Sequence, residues 1–266
     1  MNLGLDGKAC VVTGASRGIG LDVAKRLCEE GVSVLMVARG EEELANAAAE
    51  TGAKGGEAAA LALDVTDAGA ADRIVAEATE RFGQLDVVIN NAGQAKWRKL
   101  DDVPDEDWQA AWDLNVMAPM RLMRAAIPAM AERGWGRVVN VSSTAGKRPS
   151  RHMPEYSVAK AAELSLSKVF ADAHAGSGVL VNAVCPGPTA SEMWMAPGGL
   201  LDQSKELSGA SSRDEAFESA GASRPIGRLA EPAEIGAVIV FLCSEAASYV
   251  SGVAWGVDGG TVQVII

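Results

Sequence analysis

Short apolar runs alternate with longer segments of helical periodicity along the whole chain. Seven runs are typical of strands, at residues 9–13, 33–38, 58–64, 86–90, 137–143, 180–185 and 253–257. Several of them are continuously apolar, which is the pattern of strands whose two faces are both covered by helices. The segments between them carry Ala, Leu, Ile and Met at helical spacing, at residues 18–30, 41–51, 67–82, 105–133, 155–175 and 231–244.

This alternation predicts an α/β fold: a single-domain, Rossmann-like, doubly wound parallel seven-stranded sheet with helices on both faces. No linker and no internal repeat is visible, so residues 1–266 are expected to form one domain. Residues 188–226 interrupt the alternation of strand and helix patterns, because prolines, glycines and serines replace the apolar periodicity. The segment follows the sixth predicted strand, where open α/β sheets bind ligands, so we interpret it as a substrate lid with one or two short helices.

Composition excludes several function classes. The net charge of −11 argues against nucleic acid or an anionic membrane as the main partner. The four cysteines lie singly and only two histidines are present, so no metal site is expected. The first residues lack the features of a signal peptide, and the longest apolar run, residues 235–243, is too short to span a bilayer. We therefore expect a cytoplasmic protein.

The first predicted strand runs directly into a glycine-rich turn and then into a helix. Glycines at such a turn let backbone N–H groups approach a pyrophosphate, and the helix N-terminus adds a favourable dipole. An ordinary tight turn is the alternative, but the strand before it and the helix after it are the context that the motif requires. The turn predicts a dinucleotide site that includes Gly14, Ser16, Arg17, Gly18, Ile19 and Gly20.

The spacing of these glycines after Thr13, TGxxxGxG, resembles the signature of the short-chain dehydrogenase/reductase family, and the chain is most similar to its 3-oxoacyl-reductase-like subgroup. The resemblance extends over nearly the entire chain. The NNAG sequence at residues 90–93 and the PGPT sequence at residues 186–189 resemble further family motifs. By this resemblance, the remaining cofactor contacts are Asp64 and Val65 at the adenine, with Asn91, Ala92, Gly93, Pro186, Gly187 and Thr189 along the cleft.

Tyr156 and Lys160 are spaced i, i+4, which places them on one face of a helix. A neighbouring ammonium lowers the pKa of a phenol and lets it exchange a proton near neutral pH. The pair alone is a frequent chance match, but Ser143 ends the fifth predicted strand thirteen residues before Tyr156, the family spacing. The resemblance implies that Ser143 holds the substrate oxygen and that Asn115 binds a water linking Lys160 to solvent. It also implies that Tyr156 and Lys160 contact the cofactor.

The residues after the second predicted strand favour NADP(H). A site selective for NAD places an acidic residue there, whereas this chain has Ala38 followed by Arg39. A guanidinium can pair bidentately with a 2′-phosphate, and Arg17 would add a second positive contact. The acidic residues at 41–43 would weaken phosphate binding if they faced it. We predict NADP(H) as the preferred cofactor, with NAD(H) as the alternative.

The substrate is the least defined part of the prediction. Loops around the predicted nicotinamide site carry Trp97, His152, Met153, Met193 and Trp194, which would form an apolar, adaptable pocket. Core packing explains each of these residues equally well. The predicted reaction is hydride transfer between NADP(H) and a ketone or secondary alcohol, with a free hydrophobic or cyclic carbonyl compound favoured.

Three alternatives stay open: a 3-oxoacyl-thioester reductase, an NAD-dependent alcohol dehydrogenase, and a non-catalytic NADP-binding regulatory subunit. Residues 176–178 lack the arginine that fatty-acid reductases of the family usually carry there, which argues against a carrier-protein substrate. Residues 262–266 are apolar to the last position, so we expect them to be buried. Together with the family resemblance, this predicts a homotetramer.

Overall fold

The computed structural model describes residues 2–53 and 55–263. Within them, seven strands form one parallel sheet in the order β3-β2-β1-β4-β5-β6-β7, which confirms the predicted fold class. The chain order reverses between β1 and β4, and such a switch point opens a crevice at the carboxyl ends of the strands. The strands are β1 Ala9–Thr13, β2 Ser33–Ala38, β3 Ala58–Ala62, β4 Val87–Asn90, β5 Gly136–Val141, β6 Val179–Pro186 and β7 Ala254–Val257.

Helices cover both faces of the sheet. One core packs α1 and α11 against the sheet through Val23, Leu27 and Ile239, and the opposite core uses Ile74 of α3 and Ile127 of α5. The helices are α1 Gly18–Glu29, α2 Glu41–Gly52, α3 Ala70–Phe82, α4 Asp105–Trp112, α5 Ala118–Glu132, α6 Thr144–Lys147, α7 Pro154–His174, α8 Glu192–Met195, α9 Leu200–Ser208, α10 Arg213–Ala222 and α11 Pro232–Cys243. Burial on both faces explains why the strands are continuously apolar.

The segment of helical spacing at residues 105–133 is helical from Asp105 to Glu132, but it is not one regular α-helix. A π-helical turn, Asp113–Met117, separates α4 from α5. Pro119 has no N–H, so it cannot donate the bond that a regular α-helix would give to the Asn115 carbonyl. The interruption therefore follows from a proline two residues beyond the turn, and it places Asn115 inside the turn.

The lid contains three helices rather than the one or two predicted. Gly209, at φ +72°, ends α9. The Ser212 hydroxyl accepts the N–H of Glu215 and so caps the beginning of α10. A glycine and a serine of the irregular sequence therefore mark helix boundaries. The three helices share an apolar cluster of their own, formed by Trp194, Leu200, Leu201, Ala216 and Leu229. The lid is therefore a small packed layer and not a loop.

In the described part of the chain, no helix combines the length and the apolar character needed to cross a membrane. Nor do these residues contain a group of three or more His, Cys, Asp or Glu side chains arranged to hold a metal ion. Cys10, Cys28, Cys185 and Cys243 are buried free thiols. Burial raises the pKa of Cys28 and Cys185 to about 11 and that of Cys243 to about 12, so these thiols stay protonated and inert.

Candidate active site

The glycine-rich turn between β1 and α1 packs so closely that side chains would not fit. A Cβ on Gly20 would lie 2.4 Å from the Gly14 carbonyl oxygen, and a Cβ on Gly14 would lie 2.9 Å from the Ala92 Cα. Arg17 is the N-cap of α1 and makes no side-chain capping hydrogen bond. The first turn of α1 therefore offers uncapped N–H groups at a helix N-terminus, which is the arrangement that binds a phosphate.

Thr13 and Asn91 tie this turn to the end of β4. The Thr13 hydroxyl accepts the N–H groups of Asn91 and Ala92, each at 3.0 Å. In return, the Asn91 side-chain amide donates to the carbonyl oxygens of Thr13, at 3.0 Å, and of Gly14, at 3.1 Å. The two segments that are expected to line the cofactor cleft are thus held in one rigid unit.

Helix α7 carries Tyr156 and Lys160 into the crevice beside the end of β5. Ser143 caps α6 by accepting the Ala145 N–H at 3.0 Å, and its hydroxyl acts on the Tyr156 phenol by lowering its pKa. The Lys160 Nζ lies 5.8 Å from the centre of the Tyr156 ring. The structure therefore brings together the three residues that the sequence predicts as the reacting group.

Lys160 is paired with a carboxylate. Its Nζ donates to Glu163 Oε2 at 2.9 Å and to the Val141 carbonyl oxygen at 2.7 Å. The side chains of Lys160 and Glu163 are only 2% and 1% exposed. Burial is the largest single influence on the pKa of Lys160 and would lower it, but Glu163, Tyr156 and Cys185 together raise it. No family motif points to Glu163; the available signal is an acidic residue three positions after the lysine in an otherwise apolar stretch.

The Tyr156 phenol differs from the sequence-based expectation. Burial raises its pKa above the ordinary value, and this effect exceeds the lowering by Lys160 and by the hydrogen bond with Ser143. Glu163 raises the pKa of the phenol further. Burial, which the expectation from the i, i+4 spacing leaves out, is therefore the largest influence on the pKa of this phenol.

Asn115 projects from the π-helical turn towards Gly93 and Lys160. Its side-chain amide donates to the Ala111 carbonyl oxygen at 2.8 Å, while its Oδ1 is buried and has no hydrogen-bond partner among the residues described. A Cβ on Gly93 would lie 3.6 Å from this Oδ1 and 3.8 Å from the Lys160 Nζ. The two polar atoms thus border one space beside Gly93, as the predicted water link between Asn115 and Lys160 requires.

Arg39 and Asp64 face each other at the opposite end of the crevice. Arg39 Nη1 lies 3.9 Å from Asp64 Oδ2, and the arginine side chain is 74% exposed. Asp64 Oδ1 accepts two hydrogen bonds from Thr66, one from its N–H at 2.9 Å and one from its hydroxyl at 2.7 Å. The bond from the Thr66 N–H is the main reason that the pKa of Asp64 is lowered. These bonds also end β3 at Ala62, two residues earlier than predicted. Val65 follows Asp64 in the same turn. Arg17, the second arginine predicted to contact the cofactor, is exposed in the glycine-rich turn.

Pro186 is the last residue of β6 and pairs with Val257 of β7, and Gly187 and Thr189 follow it. Gly187 donates its N–H to the Val257 carbonyl oxygen at 3.0 Å, and a Cβ on Gly187 would lie 2.9 Å from the Asp258 Cα. The Thr189 hydroxyl donates to the Gly187 carbonyl oxygen at 2.9 Å. The proton of this hydroxyl is used within the turn, so Thr189 meets a ligand as a hydrogen-bond acceptor.

The predicted substrate residues divide into two groups. The rings of Trp97 and His152 stack at 5.4 Å, and Trp97 and Met153 pack against the lid cluster that contains Trp194. Met193 is 38% exposed and does not belong to that cluster among the residues described. The structure therefore brings four of the five residues together at the lid and leaves Met193 at the surface.

Comparison with known proteins places this geometry in a family. Residues 8–198 match the model of the short chain dehydrogenase family. The chain belongs to this family. The short-chain reductase protein NovJ of Streptomyces niveus is 36% identical over 250 residues, which cover 94% of this chain and 92% of NovJ. The 3-oxoacyl-acyl-carrier-protein reductase FabG of Thermotoga maritima is 31% identical over 258 residues, covering 97% of this chain and 99% of FabG.

A solved structure of L-sorbose reductase from Gluconobacter frateurii, complexed with NADPH and L-sorbose, superposes on this short-chain dehydrogenase with a TM-score of 0.91. The two chains are 34% identical, and each is covered completely. The relatives confirm the family resemblance predicted from the sequence. This short-chain dehydrogenase is therefore an oxidoreductase that acts on CH–OH and C=O groups.

Proposed function

We propose that this protein transfers a hydride between NADP(H) and a ketone or secondary alcohol, with Asn115, Ser143, Tyr156 and Lys160 as its catalytic residues. The convergence of three side chains carries the proposal: the Ser143 hydroxyl lowers the pKa of the Tyr156 phenol, and the Lys160 Nζ lies 5.8 Å from the centre of the same ring. It unites an oxygen-binding group and a proton donor at the carboxyl end of β5. The similar L-sorbose reductase, which binds NADPH and a ketose, supports the same reaction class.

Bound NADPH would supply the hydride, which adds to the carbonyl carbon while the carbonyl π electrons move to the oxygen. Tyr156 gives its phenolic proton to that oxygen, and Ser143 donates a hydrogen bond to it. A phenol with an ordinary pKa of about 10 carries this proton at neutral pH. Lys160 and Asn115 border the route by which Tyr156 would recover a proton. Oxidation of the alcohol runs through the same residues in reverse.

The cofactor would lie across the crevice from the glycine turn to Thr189. The uncapped first turn of α1 would hold the pyrophosphate, and the packing at Gly14 and Gly20 leaves the backbone open to it. Arg39 would pair with the 2′-phosphate, because its guanidinium is exposed and makes only a long contact with Asp64. Val65 would flank the adenine ring.

Replacing Arg39 with Ala is expected to lower kcat/KM for NADPH by about 10- to 100-fold, because a charge-assisted pair contributes about 1.5–3 kcal/mol. The value for NADH should stay within about twofold, since NADH has no 2′-phosphate. Steady-state kinetics on a hydrophobic cyclic ketone, with each cofactor in turn, measures both values. Arg81→Ala, which removes an exposed arginine on α3, is the matched control. A wild-type kcat/KM higher for NADH than for NADPH would overturn the NADP(H) preference and favour the NAD(H) alternative.

We also propose that the substrate is a free hydrophobic or cyclic carbonyl compound. The apolar side chains of Met153 and Trp194 meet at the lid, beside the stacked rings of Trp97 and His152. The lid lies against the glycine turn, since a Cβ on Gly18 would be 3.2 Å from Glu192 Oε2. A 3-oxoacyl thioester is the second candidate, which the similarity to FabG favours.

We further propose that the chain forms a single domain and assembles into a homotetramer. We expect it to be cytoplasmic and to have neither nucleic acid nor a membrane as a partner. Exposed apolar side chains on α4 and α7, namely Trp112, Val158 and Val169, support self-association. The predicted burial of residues 262–266 falls partly on residues 264–266, which lie outside the described residues. Light scattering should give four times the chain mass of 27.4 kDa. A monomer would refute the tetramer.

A further inference from the structure

The lid side of the candidate active site carries two buried hydrogen-bond donors that the proposed chemistry does not use. Trp97 Nε1 and His152 Nδ1 are buried, and neither atom has a hydrogen-bond partner within the described part of the chain. The Nε1 of an indole always carries a hydrogen. His152 Nε2 accepts the Nε–H of Arg151 at 3.1 Å, so the ring hydrogen of this imidazole lies on Nδ1. Both buried atoms are therefore N–H donors.

The two donors cannot satisfy each other. The rings of Trp97 and His152 lie 5.4 Å apart from centre to centre, and their planes differ by only 5°. A ring N–H lies in the plane of its own ring, so each of these bonds runs parallel to the neighbouring ring and leaves the stack at its edge. An acceptor for either donor must therefore lie at the edge of the stack and not between the rings.

Hydrogen bonds of the backbone hold the stack in place. The Trp97 N–H donates to Gln203 Oε1 at 2.7 Å, and the amide of Gln203 donates in turn to the Gly198 carbonyl oxygen at 2.7 Å. On the other side, the His152 carbonyl oxygen accepts the N–H of Arg98 at 2.9 Å. The loop after β4 is thus joined both to the segment before α7 and to the lid helix α9. Donors held in this way lose little conformational entropy when a ligand binds.

A buried N–H without an acceptor is unfavourable. Such a group has lost its hydrogen bonds with water and has gained none within the protein, which is why most buried polar groups are paired. A phenylalanine at position 97 or 152 would give the same ring stacking without this cost. Two such donors on one rigid stack therefore indicate a ligand that supplies the acceptors.

The stack lies within reach of the reacting group. Trp97 is four residues beyond Gly93, which lies beside the catalytic lysine, and His152 is four residues before Tyr156. Four residues span at most about 14 Å. Trp97 also packs against the lid cluster, so a shift of the lid would expose the donors to a substrate. A substrate with its carbonyl oxygen at Tyr156 would then extend beneath the lid towards the stack.

We propose that the substrate carries, besides its reacting carbonyl group, one or two further neutral oxygens that accept hydrogen bonds from Trp97 Nε1 and His152 Nδ1. A hydroxyl group or a second carbonyl group provides such an oxygen. A carboxylate fits less well, because burying a full negative charge against neutral donors is more costly than burying a neutral oxygen. The inference rests on the proposed function, and it narrows the hydrophobic or cyclic carbonyl compound to one that bears this additional oxygen.

Matched ketones test the inference in the unmodified protein. Each pair consists of a cyclic ketone with a hydroxyl substituent and the same ketone with a methyl group in its place, which has a similar volume and no acceptor. The pairs differ in the distance between the carbonyl group and the substituent. At the distance that matches the stack, we expect kcat/KM with NADPH to be about 3- to 10-fold higher for the hydroxyl member, the usual net effect of one hydrogen bond. If no pair favours the hydroxyl member, the proposal is overturned.

Two variants each remove one donor and keep a ring in the stack, namely Trp97→Phe and His152→Phe. Each should lower the preference for the hydroxyl member in at least one pair that the wild type discriminates. The loss should appear chiefly in KM, because the additional oxygen is bound alike in the ground state and the transition state. An unchanged preference in both variants would contradict the proposal.

Two further variants separate the donors from the packing of the rings. His152→Asn places an amide N–H near the position of Nδ1 without a ring, so it should keep the preference that His152→Phe loses. Trp255→Phe removes the same indole N–H from a half-exposed tryptophan of β7, and we expect its preference to equal that of the wild type. Should a variant fail to fold, the comparison of ketones in the wild type still decides.

Calorimetric binding of the same ketone pairs to the protein saturated with NADP⁺ requires no turnover. The tighter binding of the hydroxyl member should appear there as well. Equal binding and equal turnover of the two members of every pair would refute the additional oxygen and leave the proposed hydride transfer intact. A preference in binding without any reduction would instead refute the proposed reaction and retain the oxygen site.

Discussion

Replacing Tyr156 with Phe is expected to lower kcat by about two to four orders of magnitude, the usual contribution of a positioned general acid. The substitution removes only the phenolic hydroxyl, and the buried ring remains in α7. NADPH affinity, measured by fluorescence titration, should therefore change by less than about tenfold, as expected for the loss of a single hydrogen bond.

Tyr249→Phe is the matched control, because it removes the same atom from a fully exposed tyrosine. We expect its kcat to equal that of the wild type. Turnover retained in Tyr156→Phe would contradict the assignment of the proton donor. An equal loss of NADPH binding in Tyr156→Phe would instead indicate that the hydroxyl acts on the cofactor.

Replacing Lys160 with Met should destabilise the fold as well as abolish activity. The change leaves the Glu163 carboxylate buried without its counter-charge, and breaking a buried pair in this way costs about 3–5 kcal/mol. Equilibrium unfolding in urea measures the loss. The double variant Lys160→Met with Glu163→Leu removes both charges, so its free energy of unfolding should return towards the wild-type value.

Activity should not return in that double variant, because Lys160 itself is absent. Arg137 and Glu245 offer a control pair, since the Glu245 side chain is half-exposed and solvent can take over its charge. Arg137→Met is therefore expected to gain little from a second change at Glu245. A Lys160→Met variant as stable as the wild type would contradict the buried ion pair.

Much of the fold is predictable from the sequence for a simple physical reason. Strands that are covered on both faces must be apolar throughout, and β1, β2 and β4 are recognisable in this way. The glycine turn is equally visible, because its close packing allows no side chain at Gly14 or Gly20. Ser143 is recognisable because it follows a strand, and Tyr156 and Lys160 because they share a helix face, whereas Asn115 rests on the family resemblance alone.

The remaining features depend on contacts that one sequence does not display. The π-helical turn depends on Pro119, which a hydrophobic pattern treats as one position within a helix. The lid helices begin and end at Ser212 and Gly209, residues that are also typical of irregular segments. The ion pair of Lys160 with Glu163 is buried, which the sequence does not display, because an i, i+3 pair of this kind on a helix surface would be a minor solvated contact.

The most direct test of the account is to follow the hydride. A panel of cyclic and hydrophobic ketones, with a 3-oxoacyl thioester included, is incubated with the protein and NADPH that carries deuterium at both positions of nicotinamide C4. Mass spectrometry and NMR of the products should show one deuterium on the former carbonyl carbon of a cyclic or hydrophobic alcohol. Alcohol without deuterium, or no NADPH consumption with any member of the panel, would contradict the proposed hydride transfer.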